Sequence, residues 1–542
     1  MLSDPMLLPR RAVDVPGAPI AIEVRNAPAG GRVTVRRLGD PVAEQNRDGD
    51  SDIVLEGLPE GGYGVELALS DGRLARTAVD VRADVRTRLR YGFVAAYPPG
   101  ADPAPIADVV RRLHLTAVQF YDWAYRHADL LGGGEEYRDA LDQPVSLETV
   151  RAYAAAVRDA GADPLGYAAV YAVGPEEWPE WEQHALLAPS GAPYALGDFL
   201  FLVDPAAPEW LAHFTADLRR SIDEVGLTGF HLDQYGYPKY ARRPDGVVVD
   251  VAESFVRTLN GIRRALPAAR LVFNNVNDFP TWRTAKVAQD ALYIEPWEPQ
   301  TTLGALAATA TRARLSGGGL PVVFAAYQHV YDTADRAAAD RATALTMATL
   351  YSHGATQLLA GENGRVLVDP YYVRNHTAES ETLDLLTRWY DFVVEHDEVL
   401  LAPGIADVTD AYVGGYNNDC DVAYTSAEVS EEATAGRVWR RITDAGGRLV
   451  VHLVNLVGQP DTTWDAARAP FGDPGAGRIR VRRLLGSTPR IRVADPDGSG
   501  RLEELEVRLD GDAAVADLPT LRAWQLVVID PAELVRDGAE LP

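Results

Sequence analysis

A chain of 542 residues with 47% hydrophobic and 24% charged residues is ordinary globular protein, long enough for two to four domains of about 100–200 residues each. Its 52 basic and 78 acidic residues leave a formal charge of −26. That balance argues against nucleic acid or an anionic membrane as the main partner, because both demand clustered cations, and it favours a neutral or small ligand. The single cysteine, Cys420, excludes an internal disulfide, a zinc cage of several thiolates and a Cys-x-x-Cys redox pair.

Residues 1–11 lack a basic segment followed by 7–15 apolar residues, and no run of about 18 apolar residues occurs. Neither a secretory signal nor a membrane span is therefore predicted. The expected location is the cytoplasm, or outside the cell if a leader has been trimmed. Nothing in the sequence fixes the number of subunits.

The first 88 residues read as short strands separated by turns. Residues 20–24, 32–36, 63–67 and 77–81 alternate apolar with polar, and Ala29-Gly-Gly31 and Glu60-Gly-Gly62 punctuate them. This spacing predicts an immunoglobulin-like β-sandwich over 1–88. Asn46-Arg-Asp-Gly-Asp-Ser-Asp52 has the acidic look of a calcium loop but lacks a closing glutamate, and is read as a turn.

From residue 89 to 400 the rhythm changes. Runs rich in Val, Ile, Leu, Phe and Tyr fall at 91–97, 117–123, 164–171, 229–235, 270–276, 291–297, 321–327 and 356–361. Helical patterns separate most of them. Ile106, Val109, Val110 and Leu113 lie on one face, and Trp210, Phe214, Leu218 and Ile222 recur at steps of four. Eight β runs alternating with amphipathic helices predict a (β/α)8 TIM barrel. A doubly wound sheet is disfavoured, since no Gly-x-Gly-x-x-Gly turn follows the first run. Residues 401–542 return to β, with hairpins expected at 438–455 around Gly446-Gly447 and at 505–518 around Asp510-Gly511. They are read as an antiparallel β-sandwich domain.

In such a barrel the chemistry sits at the C-terminal ends of the strands. Those ends read Tyr121-Asp-Trp123, His231-Leu-Asp-Gln-Tyr-Gly236, Asn274-Asn-Val-Asn-Asp278, Tyr293-Ile-Glu-Pro-Trp297, Tyr327-Gln328 and Gly361-Glu-Asn363. Carboxylates and amides hydrogen-bond sugar hydroxyls, and aromatic rings offer flat apolar faces to the C–H side of a pyranose. Arg and Lys, which a phosphorylated substrate would want, are nearly absent. There is no His-x-His or His-Glu-x-x-His for a catalytic metal, and no Gly-x-Ser-x-Gly nucleophile elbow. No metal or cofactor is expected. What remains is a pair of carboxylates across a glycosidic bond, one an acid and the other a nucleophile or base. Alternation turns His231 and Asp233 inward on the fourth strand, and Tyr293 and Glu295 inward on the sixth. Asp233 and Glu295 are thus the candidate pair, with Glu298 the rival acid.

These motifs resemble glycoside hydrolase family 66, the dextranases and cycloisomaltooligosaccharide glucanotransferases. The resemblance covers most of the chain and is carried by Val118-Gln-Phe-Tyr-Asp-Trp-Ala-Tyr-Arg-His127, Gly229-Phe-His-Leu-Asp-Gln-Tyr-Gly236, Phe273-Asn-Asn-Val-Asn277, Tyr293-Ile-Glu-Pro-Trp297 and Gly361-Glu-Asn-Gly364 with Tyr371-Tyr372. It implies a retaining double displacement on α-1,6-linked glucan, with Asp233 as nucleophile and Glu295 as general acid/base. Tyr121, Asp122, Trp123, His231, Gln234, Tyr235, Asn275, Asn277, Asp278, Trp297, Tyr327 and Glu362 are the expected substrate contacts, with His231 also readable as a barrel-interior residue. Tyr167-Ala168 stands where the family suggests Tyr-Asn. Its cyclising members carry an inserted carbohydrate-binding module near the seventh strand, but only about thirty residues separate Tyr327 from Thr356 here. Cyclisation through such a module is not expected, and without a leader, short isomaltooligosaccharides are favoured over polymeric dextran. The alternatives are an exo-acting α-glucosidase or transglycosylase on a related α-glucoside and, from another class, a non-catalytic carbohydrate-binding protein.

Overall fold

Alternating apolar side chains build the first layers of the computed structural model, which describes residues 4–482 and 488–530. Ile20–Arg25 pairs with Met6–Pro9 and Ile53–Leu55 in a three-stranded sheet. Arg32–Arg37 lies between Asp40–Asn46 and Gly61–Ala68, and the latter also pairs with Leu74–Val81. Ile20, Ile22 and Ile53 of one sheet and Val33, Val35 and Val65 of the other share one apolar cluster. All four predicted strands are present. Asp40–Asn46 was not foreseen, because it is an exposed, polar edge strand carrying Pro41 and has no buried face to impose alternation. The acidic stretch after it is largely turn and coil.

An eleven-stranded curled sheet occupies the middle of this multidomain chain. Its parallel strands in chain order are β1 (Tyr91–Val94), β2 (Ala117–Phe120), β3 (Asp163–Ala169), β4 (Gly229–Asp233), β5 (Arg270–Val276), β6 (Ala291–Glu295), β7 (Val322–Phe324) and β8 (Ala355–Gln357), each paired with the next. β9 (Ala360–Gly361) follows β8 after two residues and pairs Gly361 with Phe93 of β1. One stretch of chain, 355–361, thus hydrogen-bonds to both β7 and β1. β10 (Arg365–Val366) pairs antiparallel with β9, and β11 (His376–Thr377) pairs antiparallel with β10 to complete the sheet.

Burial on both faces explains why these strands read as continuous apolar runs. Phe230, Leu232, Phe273, Leu292 and Ile294 join the core shared with the helices. Tyr91, Leu165, Val272, Tyr293 and Val323 form a second cluster inside the curl. The helix before β4, Pro208–Val225, starts on a proline with no backbone N–H to leave unpaired and stops where Gly226 takes a φ of 81°. Trp210, Phe214 and Leu218 cover the sheet from it.

Beyond residue 400 the chain forms two further sheets. Val438–Ala445 folds back on Arg448–Asn455, and Val507–Asp510 on Ala513–Leu518, as the glycine turns predict. Trp524 stacks on Trp389, whose ring nitrogen donates to Asp497, so this layer packs on a helix that follows the sheet. Arg90 donates to Asp80, while Asp397 accepts from Arg82 and Arg88, joining the first layers to the sheet and to the segment after its last helix through buried ion pairs.

Candidate active site

Strand alternation delivers the central side chains. Asp233 ends β4, Glu295 ends β6, and between them on β5 the inward residues are Val272, Asn274 and Val276. Asn274 Nδ2 donates to Asp233 Oδ1 and to Glu295 Oε2, each at 2.7 Å. Two oxygens that share one nitrogen at 2.7 Å lie no more than twice that, 5.4 Å, apart. The remaining oxygens are held by phenols: Tyr167 donates to Asp233 Oδ2 at 2.7 Å, and Tyr327 to Glu295 Oε1 at 3.1 Å. Every carboxylate oxygen of the pair is therefore oriented by a neutral donor.

Burial raises both acids above the ordinary carboxylate range, and the charge of Asp233 lifts Glu295 further. The two carboxyls, bridged by one amide, disfavour each other's charge, so the pair holds a proton more tightly than free carboxylates do. Asp122 is also held well above its usual value, by burial and then by Asp139 and Asp233. His231 is pushed down to about 3 by burial and stays neutral. Its ring stacks on Tyr167 and meets the edge of Tyr293, so it braces the wall of the site.

A cavity of about 250 Å³ opens over this pair. Of the residues expected there, Tyr121, Asp122, His231, Gln234, Tyr235, Trp297 and Tyr327 line it along with Asp233 and Glu295. Gln234 has committed its amide elsewhere: Nε2 donates to the carbonyls of Asn274 and Phe279, and Oε1 accepts from Gly236 N–H. It ties the ends of β4 and β5 together.

Five expected contacts do not line the cavity. Trp123 is fully buried in the outer core and donates to the Tyr167 carbonyl, because Asp122, at a φ of 41°, interrupts the alternation. Asn275 faces away from the cavity; its amide donates to the Phe273 and Tyr293 carbonyls and accepts from Thr284. Asn277 braces the next loop by donating to the Glu298 carbonyl and accepting from Trp297 N–H and Gln300. Asp278 pairs with Arg312. Glu362 is buried and accepts from Ala96 N–H at 3.3 Å, fastening the segment after β1. Glu298 is exposed on the loop beyond Trp297 and is not among the lining residues.

Sequence reasoning missed Asn274, Tyr167 as a partner of Asp233, and Tyr372. Parity on β5 identifies Asn274, since Val272 and Val276 share its face. Tyr372 arrives from an irregular segment after β10, stacks on Tyr121 with centroids 4.3 Å apart and meets the Tyr293 hydroxyl at 3.1 Å. No strand pattern announces it. Among the described residues, no three His, Cys, Asp or Glu side chains converge as metal ligands would.

Paired carboxylates at the C-terminal ends of parallel strands, under an aromatic cavity, are the makings of a glycosidase. The sequence model of Glycosyl hydrolase family 66 matches residues 57–528, and the chain belongs to that family. A cycloisomaltooligosaccharide glucanotransferase of Niallia circulans is 27% identical over 340 residues, 57% of this chain and 34% of that protein. A dextranase of Streptococcus salivarius is 22% identical over 561 aligned positions, covering 86% of this chain and 67% of the relative. The match thus spans about a third of the glucanotransferase and two thirds of the dextranase. Among solved structures, the cycloisomaltooligosaccharide glucanotransferase of Paenibacillus sp. complexed with cycloisomaltoheptaose superposes with a TM-score of 0.87 at 18% identity, over 96% of this chain and 99% of that one. A noncanonic maltogenic α-amylase of Thermotoga neapolitana reaches 0.52 at 9% identity, over 82% and 99%. These two likenesses concern the fold alone.

Proposed function

We propose that this chain is a retaining glycosidase acting on α-1,6-linked glucosyl units, with Asp233 as nucleophile and Glu295 as general acid/base. On this reading the curled sheet is a closed (β/α)8 barrel with its catalytic groups at the C-terminal strand ends, flanked by β-sandwich domains over 1–88 and 401–542. The observation that carries the mechanism is the single amide of Asn274 spanning both carboxylates. A limit of 5.4 Å between the bridged oxygens suits the roughly 5–5.5 Å of a retaining pair and leaves little room for the water that inversion places between carboxyls about 6.5–9.5 Å apart.

Protonated Glu295 gives its proton to the leaving oxygen while ionised Asp233 attacks the anomeric carbon. Glu295, now a carboxylate, then takes a proton from water or from a sugar hydroxyl that displaces Asp233. Asp122 and Tyr121 contact the sugar at the cleavage point, and Trp297 offers it a ring face. The relatives named dextranase and glucanotransferase support an α-1,6-glucan substrate and leave both hydrolysis and transfer within this chemistry.

The test is incubation with dextran, isomaltooligosaccharides, starch and pullulan, following product lengths and the anomer first released by NMR. Expected are α-anomers from α-1,6-glucans, and loss of turnover in Asp233→Asn and Glu295→Gln. First release of the β-anomer, or turnover in Asp233→Asn close to that of the unmodified enzyme, overturns the mechanism. Glucan binding without turnover in the unmodified chain identifies a binding protein instead.

A further inference from the structure

Aromatic side chains are nearly all buried or half-buried in this protein. Among the described residues four are exposed: Tyr240 at 66%, Trp282 at 59%, Trp297 at 42% and Tyr416 at 99%. Three of them belong to consecutive loops, those following β4, β5 and β6, the strands that carry Asp233, Asn274 and Glu295. Trp297 lines the cavity; Tyr240 and Trp282 stand outside it.

The two outer rings are held on a stiff base. Trp282 packs edge-on against Phe279 with centroids 5.7 Å apart, and the Lys239 ammonium sits 3.5 Å from the centre of the Phe279 ring while donating to the Gly236 carbonyl. Tyr240 is the next residue and opens a short strand in which it pairs with Asp250. Asp250 in turn accepts from Arg283, the neighbour of Trp282, at 2.9 Å. The loops after β4 and β5 are thus pinned together twice, and each presents one aromatic side chain to solvent.

Exposed aromatic rings on segments that also carry Lys239, Asp250 and Arg283 suit a ligand with apolar faces and hydroxyl edges. Their place on the segments after β4 and β5, beside the one after β6 whose Trp297 lines the cavity, narrows the occupant further. We infer that Tyr240 and Trp282 form an outer platform on which a neutral glucan chain lays sugar rings beyond those held in the cavity. This rests on the glycosidase reading above and deepens it: the preferred substrate is a chain longer than the cavity, not a short oligosaccharide.

The experiment compares Tyr240→Ala/Trp282→Ala with the unmodified enzyme on dextran and on isomaltotriose. The ratio of kcat/KM for dextran to that for isomaltotriose is expected to fall about tenfold, mostly through KM on dextran, an effect equivalent to about 1.4 kcal/mol. Tyr240→Phe/Trp282→Tyr keeps the rings and is expected to restore the ratio. Equal losses on both substrates, an unchanged ratio, or a change of oligomeric state in the double variant overturns the platform, the last pointing to a second copy of the chain as its occupant. Affinity electrophoresis of the Glu295→Gln protein in gels containing dextran, starch or pullulan separates this outcome from failure of the glycosidase reading. Retardation that depends on both rings upholds the platform even if no α-1,6 bond is cleaved, and retardation indifferent to them refutes it.

Discussion

Asn274→Ala removes the one side chain among the described residues that hydrogen-bonds both carboxylates. On the proposed mechanism, negative charge leaves Asp233 and appears on Glu295 as the glycosyl–enzyme forms. Asn274 Nδ2, at 2.7 Å from each, follows that charge across, so its electrostatic contribution nearly cancels over the step. What disappears is mainly positioning. Each carboxylate keeps its tyrosine but regains about 1–1.5 kcal/mol of rotamer freedom that must be frozen again at the transition state. Together this is about 2–3 kcal/mol, or a loss of about 30- to 150-fold in kcat. The same hydrogen bonds lower the pKa of both acids, so their removal raises both. The proposed mechanism needs Asp233 ionised and Glu295 protonated, and on it the acid and alkaline limbs both move to higher pH, by about one unit for a charge-assisted bond worth about 1.5 kcal/mol. Reducing-sugar release from an isomaltooligosaccharide across the pH range, with the melting temperature as a folding control, reads both effects. A kcat within threefold of the unmodified enzyme and unmoved limbs would refute the bridging role. A change confined to KM makes Asn274 a sugar contact instead.

The tyrosines should act one limb at a time. Tyr167→Phe removes a donor that lowers Asp233, so the acid limb alone moves up and activity is lost at a higher pH on acidification. Tyr327→Phe removes a donor that lowers Glu295, so only the alkaline limb moves up; pH–kcat profiles that shift together contradict both assignments. Trp123→Ala is expected to destabilise the fold by about 3–5 kcal/mol through a cavity in the outer core, visible in urea unfolding, whereas a sugar-contact role would raise KM with little loss of stability. Asp397→Asn leaves the buried Arg88 without its carboxylate and Arg82 dependent on Asp80, and should cost about 3–5 kcal/mol, read by the same unfolding measurement.

The sequence made legible those elements whose burial is periodic. Strands β4 and β6 carry apolar residues at 230, 232, 292 and 294 on one face, and that parity, read on the expected barrel, turned Asp233 and Glu295 inward. The same parity on β5 selects Asn274 over Asn275, a distinction of one residue within a run of similar amides. Past the strand ends the rule fails for a physical reason: Asp122, Asn277 and Asp278 have positive φ values of 41°, 54° and 67°, so the residues around them no longer alternate. Trp123 is consequently turned into the core and Asn277 onto the next loop. Glu362 shows the other limit, since a carboxylate spent on a backbone N–H reads in sequence like one free to bind a hydroxyl.

Charge now has a local meaning as well as a global one. Among the described residues no Lys or Arg lines the cavity, and its two histidines are held neutral near pH 7, since burial pushes His231 down to about 3 and His127, with Arg126 adding to the effect, down to about 4. Asp122, Asp233 and Glu295 therefore face one another with no cation among the lining residues to balance them. An anionic group entering there would meet only like charge and acids already short of solvent. A neutral sugar would meet hydroxyl, amide and carboxyl groups without that penalty. On the proposed mechanism the mutual repulsion that disfavours an anion is also what favours a proton on the general acid, so an uncharged substrate and acid catalysis would share one cause.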